Sequence, residues 1–154
     1  MTEPTRRLSG FALVLGLCVV PLTARAQDEM VGRQVTLFGV LATPGGTKND
    51  PKLKDVLPQL RTLLPNHTFK LLKVESKRVA SGGTVSCDLG DGFIAAGQLI
   101  AALDPNGKVQ LRFDLSVGGI SQYQTVVTTP PNQIFYINRM LPNGERLVLG
   151  VGAR

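Results

Sequence analysis

"KVQLRFDLSV", residues 108–117, is the stretch that decides the fold of this chain. Its odd-numbered positions from 109 to 117 are apolar and its even-numbered positions are polar or charged. On a strand this alternation places the apolar side chains on one face and the polar ones on the other. One dry and one wet face are typical of an antiparallel sheet that packs against a core. The stretch therefore predicts a β-rich fold.

Seven further segments carry the same β-strand signals. They span residues 33–43, 67–75, 84–89, 92–103, 121–129, 133–140 and 146–151. The Pro-Asn-Gly sequences at 105–107 and 142–144 suit a type I turn followed by a glycine with positive φ, which joins two strands in a hairpin. The second half of the chain is therefore predicted to be a meander of consecutive strands.

Residues 50–64, "DPKLKDVLPQLRTLL", show a helical period instead. Six apolar side chains fall on one face of an α-helix: Leu53, Val56, Leu57, Leu60, Leu63 and Leu64. Asp50 suits the N-cap and Pro51 suits the first helical position. Pro58 removes a backbone hydrogen bond and should kink the helix or delay its regular part. The prediction is one amphipathic helix clamped against a sheet.

The order of these elements defines the expected fold class. It is α+β, with one amphipathic helix packed on a predominantly antiparallel β-sheet or small sandwich, arranged as β-α-β followed by a β-meander. The 154-residue chain is 43% hydrophobic and 18% charged, as in ordinary globular proteins. Residues 33–154 are predicted to form a single α+β domain.

The first 26 residues have the pattern of a secretory signal peptide. Two arginines precede an apolar run at 8–22, and Ala24 and Ala26 supply small residues at the −3 and −1 positions of a cleavage site. The run is short of the roughly 20 residues that a membrane-spanning helix needs, although retention as an anchor stays open. We expect cleavage near Ala26, a short lead-in at 27–32, and a periplasmic or secreted domain.

Cleavage near Ala26 changes the cysteine content and the charge. It removes Cys18, so Cys87 is left without an intramolecular disulfide partner. The formal charge falls from +6 to +4. The basic residues gather near the predicted helix and along the second strand: Lys48, Lys52, Lys54, Lys70, Lys73, Lys77 and Arg78. Because the chain lacks stacked aromatic residues, this pattern argues against binding to nucleic acid. Two alternatives stay open: a peripheral contact with an anionic surface, or a charged face that is simply solvated.

The chain is poor in residues from which an enzyme site is built. His67 is its only histidine, no Gly-x-Ser-x-Gly motif occurs, and Cys87 is the one thiol that could join His67 on a metal. His67 flanks a turn and Cys87 shares a strand face with apolar residues, so both are interpreted as structural. Asp88 and Asp91 lack the spacing of a calcium loop and suit turns. No catalytic, cofactor-binding or metal-binding residue and no cofactor are predicted.

Residues 35–74, with "VTLFGVLAT" and "DPKLKDVLPQLRTLLPNHTFKLLKV", resemble the β-α-β units of small periplasmic modules, including the N-terminal domains of bacterial secretins. The stretch "NQIFYINRMLPNGERLVLGVGA" at 132–153 resembles the hairpin with which secretin-associated domains close. The whole layout is also similar to that of uncharacterised exported bacterial proteins. The resemblance implies a periplasmic assembly or interaction role and carries no site residue.

Three functions stay open at this point. The preferred one is an exported, non-catalytic module for protein–protein interaction or for envelope or secretion-system assembly, which binds a partner in the cell envelope through an edge strand. The second is a small β-rich carrier of an apolar ligand, in which the small residues between 95 and 102 line a cavity. The third is a hydrolase that uses Ser121 or Cys87 with His67. The sequence leaves the oligomeric state open.

Overall fold

The computed structural model describes residues 32–154, so the predicted signal peptide and all but the last residue of the lead-in lie outside the described residues. Eight strands make up most of the described chain: β1 (Arg33–Pro44), β2 (His67–Val79), β3 (Thr84–Gly90), β4 (Phe93–Ala101), β5 (Val109–Val117), β6 (Ile120–Thr129), β7 (Ile134–Met140) and β8 (Arg146–Ala153). A 3-10 helix (Pro51–Leu53) and one α-helix, α1 (Leu57–Leu63), lie between β1 and β2.

The strands form two four-stranded sheets in which every pairing is antiparallel. The first sheet has the order β2-β1-β8-β7 and the second has the order β3-β4-β5-β6. Consecutive strands are neighbours in each sheet, and β8 returns to pair with β1 at the centre of the first sheet. The predicted antiparallel, β-rich architecture is therefore confirmed, in the form of a sandwich.

The main core fills the space between the two sheets. The dry face predicted for residues 109–117 faces this space, because Val109, Leu111, Phe113 and Leu115 are all 0% exposed. They pack against alternate apolar residues of β1, β3, β4 and β8. Complete burial of one such side chain is worth roughly 1.5–3 kcal/mol, so the alternating stretch holds the two layers together.

The helical region differs from the prediction of one amphipathic helix over 50–64. The chain forms the 3-10 helix first, capped by Asp50, whose side chain accepts a hydrogen bond from the Lys52 N–H at 3.0 Å. The α-helix starts only at Leu57, and Pro58 lies in its first turn. A proline is tolerated there because the N–H it lacks would have no helical partner. The proline therefore delays the regular helix, and α1 is seven residues long.

A second, smaller core lies on the outer face of the first sheet. Leu53, Leu60 and Leu64 are buried there against the sheet, where Phe69 is 1% exposed. Leu63 was also expected on the buried face, but it is 41% exposed. The break between the 3-10 helix and α1 changes the rotation per residue, so the six apolar positions no longer share one face.

The turns follow the predicted chemistry. Gly118 and Gly119, between β5 and β6, have φ of 57° and 82°, and two central residues with positive φ make the type I′ turn that matches strand twist. In the Pro-Asn-Gly loops, Gly107 and Gly144 have φ of 73° and 83°. The Asp104 carboxylate accepts hydrogen bonds from two backbone N–H groups of its own turn, so each hairpin connection is set locally.

Glycine at position 150 lets an aromatic ring lie flat on the outer face of β8. A Cβ at Gly150 would overlap the Phe38 ring, and the third-nearest ring atom would be 2.9 Å away. Phe38 in turn makes an edge-to-face contact with Tyr136, with ring centroids 6.1 Å apart. By contrast, a Cβ at Gly97 would make an ordinary contact of 3.4 Å with Val151.

We expect Gly150→Ala to lower the free energy of unfolding by roughly 1–3 kcal/mol, because Phe38 must move out of its rotamer. Gly97→Ala is the matched control, since it adds the same methyl group to a strand glycine that has room for it. Its stability should stay within about 1 kcal/mol of the wild type. Urea denaturation at a constant m-value measures both changes, and equal stabilities for the two variants would contradict the overlap at Gly150.

Candidate functional site

The sandwich leaves four strand edges without a ladder partner. They belong to β2 and β7 in the first sheet and to β3 and β6 in the second. The edges of β2 and β3 lie close together along one side of the molecule, here called the closed side. β6 and β7 approach each other at few points on the opposite side, here called the open side. The two sides differ in how their backbone edges are protected.

Loop residues cap the first part of β2 on the closed side. The Asp50 N–H donates to the Phe69 carbonyl at 2.9 Å, and the Phe69 N–H donates to the Asn49 side-chain oxygen at 3.0 Å. The Leu71 N–H donates to the Asp50 carboxylate at 3.3 Å. These bonds occupy backbone groups that an incoming strand would need, so this part of the edge is already satisfied.

Charged side chains and a bulge protect the second part of β2. The pairing with β1 skips Leu72, and a bulge of this kind bends the strand locally. Lys73, Glu75 and Lys77 pair with residues 35–39 of β1 at positions whose side chains face the second sheet. The Lys73 ammonium lies 3.7 Å from the Glu75 carboxylate. Bulges and inward-pointing charges are devices by which proteins deter edge-to-edge pairing.

β6, on the open side, has one of these devices near its start, where its pairing with β5 skips Gln122. Its ten residues, "ISQYQTVVTT", include no charged residue and no proline. Tyr123 and the β-branched residues of 125–129, all of which favour strands, make up most of the strand beyond its bulge. A long, uncharged, free edge of this composition is a template for pairing with another strand.

Exposed apolar side chains gather on the same side. Nine large hydrophobic side chains are exposed in the described part of the chain, and five of them lie on β6 and β7: Ile120 (68%), Tyr123 (37%), Val126 (54%), Phe135 (41%) and Met140 (65%). One side-chain hydrogen bond crosses the open side among the described residues, from the Arg139 guanidinium to the Gln122 carbonyl at 3.4 Å. The open side is therefore apolar and almost unbridged.

β5 holds β6 in a defined geometry. The Tyr123 ring contacts the Phe113 ring with a centroid distance of 6.4 Å, and Phe113 is fully buried. The Ser121 hydroxyl donates to the Asp114 carboxylate on β5. A strand that is ordered before binding loses less conformational entropy when a partner strand is added.

The sequence-derived catalytic candidates lie in three different places. The His67 Nδ1 lies 2.9 Å from the Pro65 carbonyl of its own turn. Cys87 is 1% exposed between the sheets, and Ser121 bonds to Asp114 at the start of β6. Within residues 32–154 no hydrogen bond joins any two of the three. The geometry therefore gives the hydrolase hypothesis no support.

The two aspartates at the β3–β4 connection act as turn residues. The Asp88 carboxylate accepts from the Gly90 N–H at 3.0 Å, and Asp91 has a positive φ of 52°. Side-chain bonds of this type stabilise tight turns. Across the described residues, no cluster of three or more His, Cys, Asp or Glu side chains is placed to hold a metal ion.

The crevice between the two sheets is small. Beside the β3–β4 and β7–β8 connections it has a volume of about 120 Å³, with Leu89, Phe93 and Leu141 among its lining residues. Drug-sized ligand pockets typically have roughly 300–1,000 Å³. The small residues proposed to line a cavity include Gly97, and an added Cβ there would meet Val151 at contact distance. At Gly97 the small residue therefore brings the sheets close together.

A groove of about 270 Å³ lies on the outer face of the first sheet, between the β6–β7 loop and the ends of β1 and β8. The Gln34 amide on its floor already donates to the Ser76 hydroxyl at 3.0 Å. The same amide accepts from the Arg154 guanidinium at 3.1 Å. The Gln34 amide is therefore engaged by its own neighbours.

Most of the basic residues lie away from the open side, where Arg139 of β7 is the exception described above. Residues 32–154 contain fourteen Lys and Arg and eight Asp and Glu, and eight of the cations fall in residues 48–78, which include β2. The acidic residues of the same segment are Asp50, Asp55 and Glu75. Positive charge is thus concentrated on and beside β2, while β6 is neutral.

The fold excludes Cys87 from solvent and keeps it protonated. Burial is the main cause that raises the pKa of its thiol from 9.0 to about 11, and the negative charge of Glu75 adds to the effect. Nearby Lys73 acts in the opposite direction. Because the thiolate is the reactive form, Cys87 is a core residue in this arrangement.

No family model, curated protein or solved structure matches this chain. No helix within residues 32–154 is long and apolar enough to cross a membrane. The function therefore has to be inferred from the residues and edges of the chain itself.

We expect Cys87 to resist thiol reagents in the folded protein. The full chain carrying Cys18→Ser, so that Cys87 is its one thiol, should react with a disulfide reagent at pH 8 only at the rate of unfolding or local opening. The same protein in concentrated denaturant should react rapidly and stoichiometrically. Rapid labelling under native conditions would show that Cys87 is accessible and contradict its burial.

The raised pKa of Cys87 also predicts a loss of stability in alkaline solution. The unfolded thiol ionises near pH 9 and the folded thiol near 11, so this contribution is intact below pH 9 and is lost as the pH rises toward 11. Between pH 8 and pH 10.5 the wild type should lose about 2 kcal/mol more than Cys87→Ala. Denaturation of both proteins at the two pH values measures the difference. Contributions from the other ionisable groups are common to the two proteins and cancel in the comparison. Equal losses would contradict the raised pKa.

Proposed function

We propose that this chain is an exported, non-catalytic module for protein–protein interaction, and that it binds an extended strand along the free edge of β6. One observation carries the proposal: beyond the bulge at Gln122, residues 123–129 of β6 form a regular, uncharged edge in a molecule that protects its opposite edge with caps, a bulge and inward charges. Proteins generally blunt such edges, so one that is left open is best explained by a strand that occupies it.

Main-chain hydrogen bonds supply the first part of the binding energy. Alternate residues of β6 direct their N–H and C=O groups away from β5, because β6 is the last strand of its sheet. Each such group pairs with water until a strand is added. A hydrogen bond formed on strand addition contributes roughly 0.5–1.5 kcal/mol net, and a row of them gives affinity without requiring a particular sequence.

Side chains beside the edge supply the specificity. Val126 lies exposed on the outer face of β6, while Tyr123 and Phe135 line the inward side of the opening. A strand that alternates its side chains would therefore place apolar groups on both faces of the extended sheet. Since β6 has no charge, the edge favours a partner strand that is itself neutral.

The basic residues leave room for a second contact. They lie on and beside β2, on the side of the sandwich opposite β6. A peripheral contact of this basic surface with an anionic surface, such as lipid headgroups or cell-wall polymer, would not compete with strand addition at β6. The signal-like pattern of residues 1–26 supports the exported location and a role in the cell envelope.

The carrier and hydrolase alternatives have less support. The crevice between the sheets is about 120 Å³, below the roughly 300–1,000 Å³ of drug-sized ligand pockets. His67 and Cys87 are held by contacts of their own, in the turn and in the core.

The substitution Val126→Lys tests strand addition at β6. It places a charge on the free edge, and its effect on folding should stay within about 0.5 kcal/mol because Val126 is exposed. Val74→Lys is the matched control, since Val74 is 49% exposed against 54% for Val126 and lies on the protected strand β2. Partner binding should fall at least tenfold in Val126→Lys, about 1.4 kcal/mol, and stay unchanged in Val74→Lys.

The measurement is chemical crosslinking of the purified full chain, alone and in an envelope extract, with quantitative mass spectrometry of the products. Products joined through residues next to β6 should disappear in Val126→Lys and persist in Val74→Lys. If both variants and the wild type give the same products in the same yield, strand addition at β6 is refuted.

A further inference from the structure

We infer that Asn106, in the connection between β4 and β5, is a site of spontaneous deamidation in the folded protein, and that the fold protects Asn143, in the same Pro-Asn-Gly sequence between β7 and β8. The two sites share their central residues and differ in their hydrogen bonds. The inference is independent of the proposed function, because it concerns two hairpin turns and not the edge of β6.

The chemistry of an Asn-Gly sequence makes its asparagine reactive. The backbone nitrogen of the glycine, after losing its proton to hydroxide, attacks the side-chain Cγ of the asparagine. A bond forms between this nitrogen and Cγ, the bond from Cγ to the side-chain nitrogen breaks, and ammonia leaves with a proton from water. Water then opens the cyclic imide at one of its two carbonyls and gives aspartate or isoaspartate. Glycine permits the attack because it has no Cβ beside the attacking nitrogen.

The backbones of the two turns are alike. Both Asn-Gly sequences of the chain occur as Pro-Asn-Gly, and both glycines have a positive φ. The Gly107 N–H donates to the Asp104 carbonyl at 2.9 Å, and the Gly144 N–H donates to the Leu141 carbonyl at 3.1 Å. The turn backbone thus restrains the two attacking nitrogens in the same way, and a difference in reactivity has to come from the side chains.

Glu145 holds both ends of the Asn143 carboxamide. Asn143 Nδ2 donates to the Glu145 carboxylate at 2.6 Å, and Asn143 Oδ1 accepts from the Glu145 N–H at 3.0 Å. The carboxylate is itself fixed by the Thr43 hydroxyl, which donates to it at 2.8 Å. To bring Cγ to the nitrogen of Gly144, the carboxamide must rotate and give up these bonds, one of which is charge-assisted. The fold therefore slows the attack at Asn143.

The Asn106 carboxamide is not held in this way. In its turn the Asp104 carboxylate accepts from the Lys108 N–H at 2.8 Å and from the Asn106 N–H at 2.9 Å. These bonds, that from Lys108 above all, hold the pKa of the Asp104 carboxyl below its usual range, so the acceptor is charged in neutral solution. Asn106 is exposed, and no hydrogen bond to its side chain occurs among residues 32–154. Its carboxamide is free to rotate toward the nitrogen of Gly107.

The residues that flank Pro-Asn-Gly account for the difference. Asp104 precedes the first sequence and Leu141 precedes the second. Aspartate side chains readily accept backbone N–H groups of their own turn, whereas leucine cannot. The N–H that follows the glycine therefore binds Asp104 in the first turn and the asparagine itself in the second. Lys108 also stands where the second turn has Glu145, so the first turn lacks the carboxylate that would hold the amide nitrogen.

Isoaspartate at position 106 changes the hairpin that leads into β5. Its main chain runs through the former side chain and is longer by one CH₂ group, and its new carboxylate lies in the same turn as that of Asp104. The Asp104 N–H donates to the Lys108 carbonyl at 2.7 Å across this turn, so the added length acts on the pair that closes the hairpin. Val109, which follows, is fully buried. The modification therefore acts beside the stretch that packs the two sheets together.

Peptide mapping of the purified full chain, aged in native buffer at pH 8, measures both sites in one sample. Trypsin places them in separate peptides, 79–108 and 140–146. Mass spectrometry distinguishes the amide from the acid, and chromatography separates aspartate from isoaspartate. We expect Asn106 to deamidate about tenfold faster than Asn143, equivalent to about 1.4 kcal/mol in the activation free energy.

Two controls assign the difference to the fold. In concentrated denaturant the wild type should lose both amides at similar rates, because the hydrogen bonds of the turns are then absent. Glu145→Ala should raise the rate at Asn143 several-fold and leave Asn106 unchanged, while the comparison of folded with denatured wild type does not depend on this variant. Equal rates in the folded wild type, a difference that persists in denaturant, or an unchanged rate at Asn143 in folded Glu145→Ala would overturn the inference.

Discussion

The packing of the two sheets against each other, through the alternate apolar residues of β5, is the interaction on which the rest of the structure depends. Val109, Leu111, Phe113 and Leu115 are fully buried between the layers, where they pack against apolar residues of both sheets. Because the two sheets are separate, each ends in two free edges. The same packing that stabilises the fold thus creates the edges that any account of its function has to explain.

Alternation along the chain was enough to predict the eight strands, since each strand buries one face and its pattern is local. The prediction of a single helix over 50–64 was wrong in form, because a proline such as Pro58 can lie in the first turn of a helix as readily as it can kink one. The edges were beyond sequence reasoning, because strand order and the capping of Phe69 by Asn49 depend on contacts between distant residues. The uncharged composition of β6 is visible in the sequence, but it becomes informative only when the strand is known to be an edge.

The two sides of the sandwich show two solutions to one physical problem. Unpaired backbone groups on an edge attract other strands. On the closed side, side chains of Asn49 and Asp50 bond to part of the backbone, and the inward charges make close approach of another strand costly. Such devices use residues that would otherwise pack a core. On the open side Arg139 of β7 is an inward charge that bonds to the Gln122 carbonyl, while residues 123–129 of β6 carry no charge and expose Val126 to solvent.

Strand addition at β6 would leave the basic residues free to act. β2 and β3 lie across the sandwich from β6, so a strand added to β6 would not cover the lysines and arginines on and beside β2. Their attraction to an anionic surface is weak and screened by salt when it acts alone. A partner strand that is itself attached to such a surface would strengthen it, since the second contact would then form at a high effective concentration. The free edge and the basic residues would act together in that case, because each contact lowers the entropy cost of the other.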